Sequence, residues 1–232
     1  MLERVNPIAK RIVTGIAVAT AVVLAILFAP VAAIRPVCFV LMALAVWETC
    51  QLTAIKAAAL RANGRSPLGA WGVGALLGFA VVGMFSVLPR YAPILHHNLM
   101  LLYIIAIVKF SDTGGFAFGL SSAKLMKGGN HKLCPTVSPN KSWEGLVGSV
   151  VFSTAVSCAF MPATHFGVGK AVAFGVAAAL VGTFGDLVES KFKRWVGVKD
   201  SSTMKITNGL GGFLDMFDSL LFAPAVLLPF VV

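Results

Sequence analysis

Residues 68–88 read LGAWGVGALLGFAVVGMFSVL, a stretch without one charged side chain. A helix needs about 20 apolar residues to cross a hydrocarbon core of about 30 Å, so this stretch predicts a transmembrane helix. Similar apolar stretches recur along the chain and predict about seven spans in total. Their approximate bounds are 12–29, 36–55, 68–88, 99–119, 143–161, 171–189 and 211–231.

The composition indicates the same class. The chain has 232 residues, of which 58% are hydrophobic and 12% are charged, and its mean hydropathy is +0.88. An ordinary soluble domain carries about 25% charged residues. The sequence therefore predicts an all-α, polytopic integral membrane protein. We expect one transmembrane catalytic domain over residues 1–232, with N-terminal spans up to about residue 90 and polar catalytic segments at 109–145 and 185–219.

The basic residues predict the orientation. The net charge is +10. If the N-terminus is cytoplasmic, the inside segments hold 15 Lys and Arg residues and the outside segments hold three, which are Arg35, Arg90 and Lys170. Short cytoplasmic loops carry such an excess, so we expect the N-terminus and the active site to face the cytoplasm at the cell (inner) membrane. Nucleic acid binding is not expected, because no polar domain remains to carry it.

The acidic residues indicate where function lies. Seven of the nine lie inside or at the ends of apolar segments, and they are Glu48, Asp112, Glu144, Asp186, Glu189, Asp215 and Asp218. A charge at the centre of a membrane helix costs about 3 kcal/mol or more, so such residues usually mark ion, substrate or catalytic sites. We expect the functional site where these carboxylates converge.

The first polar segment, SDTGGFAFG at 111–119, places Asp112 beside two glycines. Glycines allow either the close approach of a ligand to the backbone or the close packing of two helices. Lys109 lies on the same helical face as Asp112, where it could neutralise that carboxylate.

The second polar segment, SPNKSWEG at 138–145, predicts a helix start after Pro139, because a proline forces the residue before it out of helical geometry. A lysine and hydroxyl groups at a helix N-terminus suit phosphate binding. The alternative is a capped helix start with an interfacial tryptophan.

The third polar segment spans 185–219 and holds two acid pairs, Asp186 with Glu189 and Asp215 with Asp218. On a helix, each pair would share one face. Four carboxylates crowded at a membrane interface repel one another unless a cation lies among them, and oxygen ligands favour Mg²⁺ or a similar hard cation. The basic residues that follow Asp186 would attract phosphates; they are Lys191, Lys193 and Arg194.

These features together indicate phosphoryl or nucleotidyl transfer, which needs acids for a metal, bases for phosphates and glycines for backbone approach. The alternative is a set of interfacial ion pairs without catalysis.

At these residues the chain resembles the CDP-diacylglycerol synthase family, whose members are phosphatidate cytidylyltransferases. The family's C-terminal signature is matched by SKFKR at 190–194, KD at 199–200, the pair Gly211 and Gly212, and the acids Asp215 and Asp218. SPNKSWEG at 138–145 is similar to a second family element, and Asp112 with GFAFG at 115–119 is similar to a third.

The chain also departs from this signature. Leu210 stands where the family has histidine, and Met216 stands where it has arginine. The stretch from Asp200 to the glycine pair is two residues longer than in the family, and its usual proline is absent.

The resemblance implies that CMP is transferred from CTP to phosphatidate, giving CDP-diacylglycerol and pyrophosphate. It implies Mg²⁺, with a second cation as an option, bound by Asp186, Asp215 and Asp218 with Asp112 added. Further catalytic residues implied are Lys191 and Arg194. The residues implied for substrate binding are Lys141, Ser142, Glu144, Ser190, Lys193, Lys199, Asp200, Gly211 and Gly212. Family members are often dimers, so a homodimer is left open.

Two alternatives remain open. One is another CTP-dependent lipid enzyme, either a polyprenol-type kinase or a cytidylyltransferase for a different lipid phosphate. The other is a membrane transporter or scaffold with intramembrane ion pairs. Transporters place their charged sites near the bilayer midplane, whereas the charges here gather on the predicted cytoplasmic side, which argues against a transporter.

Overall fold

The computed structural model describes residues 20–198 and 212–231. Three predicted substrate-binding residues, Lys199, Asp200 and Gly211, lie outside the described residues, and so does Leu210. The first part of the predicted span 12–29 also lies outside them.

The regular structure is almost entirely helical, which confirms the all-α class. The helices are α1 at 20–28, α2 at Val31–Ala62, α3 at Leu68–Val87, α4 at Leu99–Leu125, α5 at Trp143–Ala159, α6 at Met161–Thr164, α7 at Val168–Val196 and α8 at Ala223–Leu227. Single 3₁₀ turns lie at Leu88–Arg90, His96–Asn98, Leu214–Met216, Asp218–Leu220 and Leu228–Phe230. Two short strands, β1 at Lys132–Cys134 and β2 at Ser138–Ser142, form an antiparallel hairpin that the sequence analysis did not predict.

Four helical segments in the described part of the chain are long and apolar enough to cross a membrane, which makes this a membrane protein. They cover Val31–Ala62, Leu68–Arg90, His96–Leu125 and Val168–Val196. The predicted count of about seven is not confirmed. Helix α5 has 17 residues, and at 1.5 Å per residue it spans about 26 Å, slightly less than the hydrocarbon core.

The segment predicted as the last span, 211–231, is not one continuous helix. Two 3₁₀ turns follow one another across Phe217, whose φ of −120° and ψ of 4° interrupt helical geometry. Pro224 and Pro229 lack the amide N–H that a continuing helix needs. The expectation that Asp215 and Asp218 share one face of a helix is therefore wrong.

The short connections make successive long helices antiparallel, so the bundle has two ends. The end of α2, the end of α4, the β-hairpin and the start of α5 lie at one end, which we call the hairpin end. The start of α2, the end of α3 and the start of α4 lie at the other, which we call the arginine end after Arg35 and Arg90.

Small residues bring α4 and α5 close together. A Cβ atom on Gly148 would lie 2.5 Å from the carbonyl oxygen of Gly114, and one on Gly145 would lie 2.9 Å from that of Gly115. Side chains larger than hydrogen would push the helices apart at both places, which supports the helix-packing interpretation of these glycines.

Buried hydroxyl groups add polar links between the helices. Tyr103 donates a hydrogen bond to Ser157 at 2.7 Å, and Ser157 in turn donates to the carbonyl oxygen of Ala171 at 2.6 Å. These bonds tie α4, α5 and α7 together, and this three-helix unit carries most of the site described next.

Candidate active site

A cavity of about 490 Å³ lies among α4, α5, α7, the β-hairpin and the C-terminal turns. Its charged lining side chains are Asp112, Asp186, Asp215, Asp218, Lys109 and Lys141. The three polar segments are far apart in the sequence and meet around this cavity. The structure thus places around one cavity the four carboxylates that the family resemblance implies for a metal, whereas Glu189 of the second acid pair does not line it.

Helix α7 and strand β2 contribute an ion pair that faces the cavity. Lys141 Nζ lies 2.5 Å from Asp186 Oδ2, and the two side chains are 22% and 27% exposed. Ser190, one turn further along α7, donates a hydrogen bond to Asp186 Oδ1 at 3.2 Å. Both oxygens of Asp186 are therefore held in place, and Ser190 acts through this carboxylate and does not line the cavity itself.

Lys109 on α4 connects the first polar segment to the C-terminal turns. Its Nζ donates to the carbonyl oxygen of Met216 at 2.9 Å and to Ser219 Oγ at 3.0 Å, and it lies 3.5 Å from Asp112 Oδ2. Ser219 Oγ donates to Asp112 Oδ2 at 2.7 Å. The sequence predicts only that Lys109 neutralises Asp112, because the contact of Lys109 with Met216 spans 107 residues of chain and no local pattern indicates it.

The turn that carries Asp218 packs directly on α7. A Cβ atom on Gly185 would lie 2.5 Å from the carbonyl oxygen of Asp218, so only glycine allows this approach. The backbone N–H of Ser219 donates to Asp218 Oδ1 at 2.6 Å and fixes that carboxylate. The contact keeps Asp218 beside Asp186, the residue that follows Gly185.

Asp215 belongs to a second, more buried set of charges. Lys193 Nζ lies 2.5 Å from Asp215 Oδ1 and 2.7 Å from Glu189 Oε2. The Glu189 side chain is fully buried and that of Lys193 is 11% exposed. Gly212 N–H donates to Asp215 Oδ2 at 2.9 Å. Burial raises the pKa of Asp215, but the contacts of its carboxylate with Lys193 and with Gly212 N–H outweigh this effect and hold the pKa below its usual value.

Glu48 on α2 supports the same turn from the other side. Its side chain is 1% exposed, and Oε2 accepts a hydrogen bond from the backbone N–H of Leu214 at 2.6 Å. The sequence analysis named Glu48 as an acid inside an apolar span and gave it no role in the site. The apolar residues around Glu48 indicate in the sequence that it is buried. They do not indicate that it contacts Leu214, which lies 166 residues away.

The other predicted site residues occupy different places. Ser142 lines the cavity and caps α5, since its Oγ accepts a hydrogen bond from Gly145 N–H at 3.1 Å. Glu144 faces His131 instead, with Oε1 2.7 Å from His131 Nδ1. Lys191 and Arg194 are exposed, and neither they nor Lys193 line the cavity.

The cavity lining carries four carboxylates and two ammonium groups, a formal net charge of −2. Like charges at close range repel, and the oxygen donors are those that hard cations such as Mg²⁺ prefer. Within residues 20–198 and 212–231, no group of three His, Cys, Asp or Glu side chains is placed so that it could hold a metal ion. The carboxylate oxygens are thus donors of the kind that a hard cation prefers. In this structure, however, the carboxylates are not gathered around a common point.

The family model and the similar proteins both point to cytidylyltransferases. A sequence model described as "Cytidylyltransferase family" matches residues 66–232, which include every residue that lines the cavity. A phosphatidate cytidylyltransferase of Staphylococcus aureus (strain COL) is 44% identical over 124 residues. Proteins of the same name from Staphylococcus saprophyticus and Staphylococcus haemolyticus are 41% and 40% identical over 124 residues.

These matches cover part of each protein. The aligned region is 53% of this chain and 45% of each of the three relatives, so the match extends over less than half of their length.

Proposed function

The chain belongs to the cytidylyltransferase family, and from that premise we propose that it transfers CMP from CTP to phosphatidate. The products would be CDP-diacylglycerol and pyrophosphate. The observation that carries the proposal is the cavity where Asp112, Asp186 and Asp218 meet Lys109 and Lys141 between membrane-spanning helices.

The cavity also has an apolar side, which a lipid substrate requires. Phe116 on α4 lines it, yet this side chain is 72% exposed, so the cavity reaches the outer surface of a membrane-spanning helix. A phospholipid could therefore present its phosphate to the charged groups while its acyl chains remain in the bilayer.

In the proposed reaction, a phosphate oxygen of phosphatidate attacks the α-phosphorus of CTP. The new P–O bond forms as the bond to the β-phosphate oxygen breaks, and pyrophosphate leaves with that electron pair. The attacking phosphate is already anionic, so no general base is needed. Catalysis then consists of positioning the two phosphates and neutralising their charge.

Two lysines supply the positive charge within the cavity. Lys141 extends from the hairpin beside the start of α5 and Lys109 from the middle of α4, so they approach from different sides. We assign Lys141 to the triphosphate, because it lies at a helix N-terminus. Lys109 then serves the lipid phosphate. Lys191 and Arg194, exposed near the end of α7, would attract CTP from solution.

We further propose that a divalent cation such as Mg²⁺ binds among Asp112, Asp186 and Asp218. These side chains would have to move closer together to hold it, since no three acids in the described residues are placed to do so. When bound, the cation would offset the negative charge of the triphosphate, which a cavity of net charge −2 would otherwise repel. Asp215 contacts Lys193, which does not line the cavity, whereas Asp186 contacts Lys141, which does. We therefore place Asp215 outside this set, in a supporting position.

The distribution of charge supports a cytoplasmic active site at the inner membrane. Arg61, Arg65, Lys124, Lys127 and Lys132 all lie at the hairpin end, whereas the arginine end carries Arg35, Arg90 and Lys170. By the positive-inside rule, the hairpin end faces the cytoplasm, where CTP is available.

Incubation of the purified protein with Mg²⁺, phosphatidate and CTP tests the proposal. CTP labelled at the α-phosphate should transfer its label to a CDP-lipid, and CTP labelled at the γ-phosphate should release it as pyrophosphate. Label from the γ-position in the lipid would instead identify a kinase.

One observation favours a second candidate, a cytidylyltransferase for a different lipid phosphate. Met216 lines the cavity at the position where the family signature has arginine. In place of the positive charge of an arginine, a methionine offers the substrate an uncharged, apolar contact. Replacing phosphatidate by polyprenyl phosphate in the same assay distinguishes the two substrates.

A further inference from the structure

A second cavity, also of about 490 Å³, lies at the arginine end between α2 and α3. Two of its lining residues are the arginines Arg35 and Arg90, and most of the others are apolar. The proposed reaction does not use it, since the active-site cavity lies among α4, α5, α7 and the hairpin.

The lining is ordered along the bundle axis. Arg35, Phe39 and Met42 follow one another on a single face of α2 at intervals of four and three residues. On the facing wall Arg90 ends the 3₁₀ turn that follows α3, and Phe85 on α3 lies further towards the middle of the bundle. Both walls thus place a guanidinium at the end of the bundle and an aromatic ring towards its middle.

Neither arginine has an ion-pair partner in the part of the chain that the structure describes. No carboxylate within residues 20–198 and 212–231 forms an ion pair with Arg35 or Arg90, and both side chains are exposed. A guanidinium is always charged and offers five N–H donors in a planar fork that matches a phosphate group. The cleft therefore presents two guanidinium groups, 55 residues apart in sequence, that are not paired with a carboxylate of the described residues and can bind a phosphate.

We propose that this cleft binds the phosphate of an anionic phospholipid from the leaflet at the arginine end. The acyl chains would lie along Phe39, which is 69% exposed, and Met42. Charge at the membrane surface above an apolar wall matches the shape of a phospholipid, and basic pockets between transmembrane helices bind lipid headgroups. A soluble anion such as inorganic phosphate has no apolar part that could pack against this wall.

Native mass spectrometry of the full chain in detergent tests this site, with phosphatidylglycerol and phosphatidylcholine as probes. Each basic residue near the lipid headgroup is worth about a fivefold change in affinity. The double variant Arg35→Gln/Arg90→Gln should therefore need about thirtyfold more phosphatidylglycerol to reach the same occupancy. Arg35→Lys/Arg90→Lys keeps both charges and should retain most of the binding.

Lys170→Gln is the matched control. Lys170 lies at the same end, near the start of α7, but stacks on Phe166 and Phe174 outside the cleft. Its removal should leave phosphatidylglycerol occupancy unchanged. The glutamine double variant loses no ion pair of the described residues, so its melting temperature in detergent should stay close to that of the wild type.

Three results would overturn the proposal. They are wild-type occupancy in the glutamine double variant, an equal loss in Lys170→Gln, and equal binding of phosphatidylcholine by the wild-type protein. Inorganic phosphate at the lipid concentration should not displace phosphatidylglycerol. Complete displacement would show that the arginines bind free phosphate and that the apolar wall has no part.

Discussion

Two carboxylates of helix α7 each contact a lysine at almost the same distance but in different surroundings. Asp186 meets Lys141 at 2.5 Å beside the active-site cavity, where 27% of its side chain remains exposed. One turn further on, Glu189 meets Lys193 at 2.7 Å with its own side chain fully buried. The first pair can exchange its partner for a ligand, whereas the second is enclosed by the protein.

The difference separates two roles that the sequence presents as one acidic and basic cluster. An ion pair open to a cavity can release its lysine to a phosphate and its carboxylate to a cation. A buried ion pair is held by its surroundings, and removal of one partner leaves an uncompensated charge. We infer that Lys141 and Asp186 serve the reaction, and that Lys193, Glu189 and Asp215 hold the C-terminal turn in place.

Lys193→Met tests the buried pair and should have the largest effect. It leaves the carboxylate of Glu189 buried without its cation, so the free energy of unfolding in detergent should fall by about 3–5 kcal/mol. Lys191→Met is the matched control, because Lys191 is exposed on the same helix, and its effect should stay within about 0.5 kcal/mol.

A second variant makes the test of the buried pair specific. Lys193→Met combined with Glu189→Gln also removes the buried charge of Glu189 and should regain part of the lost stability. Asp215 still lacks its lysine in this variant, so the recovery should be incomplete. Equal melting temperatures for Lys193→Met and Lys191→Met would show that the buried pair does not stabilise the fold.

Asp186→Asn tests the cavity-facing pair. The substitution keeps the shape of the side chain and removes the charge that the proposed reaction needs, so kcat should fall by about 100- to 1000-fold with little change in stability. The CTP-dependent formation of CDP-lipid measures the loss.

Glu144→Gln is the matched acid for this comparison. Glu144 pairs with the exposed His131 outside the cavity lining, and its loss should change kcat by no more than about fivefold. If both variants lost activity equally, the distinction between cavity and surface carboxylates would be wrong.

Substitutions of Glu48 test whether its hydrogen bond from α2 stabilises the turn that carries Asp215. Glu48→Met leaves the N–H of Leu214 without its acceptor inside the protein, which should lower the free energy of unfolding by about 1–3 kcal/mol. Glu48→Gln retains an acceptor and should lose less. Chemical denaturation in detergent measures both, and equal losses would show that the negative charge of Glu48 matters more than this hydrogen bond.

The sequence predicted those parts of the fold that depend on apolar length. The predicted spans at 36–55, 68–88, 99–119 and 171–189 each lie within or along one long helix of the structure. The segment 211–231 is also largely apolar, but there the carboxylates of Asp215 and Asp218 accept hydrogen bonds from nearby backbone N–H groups. Side chains of this kind compete with helical hydrogen bonding, and hydropathy does not register that competition.

The sequence also predicted which segments meet, but not which side chain faces the cavity. Residues three apart on a helix differ in direction by about 60°, which is enough for Asp186 to face the cavity and Glu189 to face Lys193. In the sequence, Lys191 and Lys193 belong to the same basic run and cannot be told apart. In the structure, the C-terminal turn packs on α7 and brings Asp215 to Lys193, while Lys191 stays exposed. The contact between Lys109 and Met216 depends on the same packing.

The most direct test is the binding of CTP, measured by isothermal titration calorimetry in Mg²⁺ on the wild type, Lys141→Met and Lys193→Met. Stability is measured on the same samples. We predict that Lys141→Met raises the Kd for CTP about tenfold to hundredfold, because a charged hydrogen bond to phosphate is lost, and leaves the melting temperature nearly unchanged. Lys193→Met, kept folded at low temperature, should bind CTP with the wild-type Kd and melt earlier. Wild-type affinity in Lys141→Met together with lost binding in folded Lys193→Met would contradict the assignment of the two pairs.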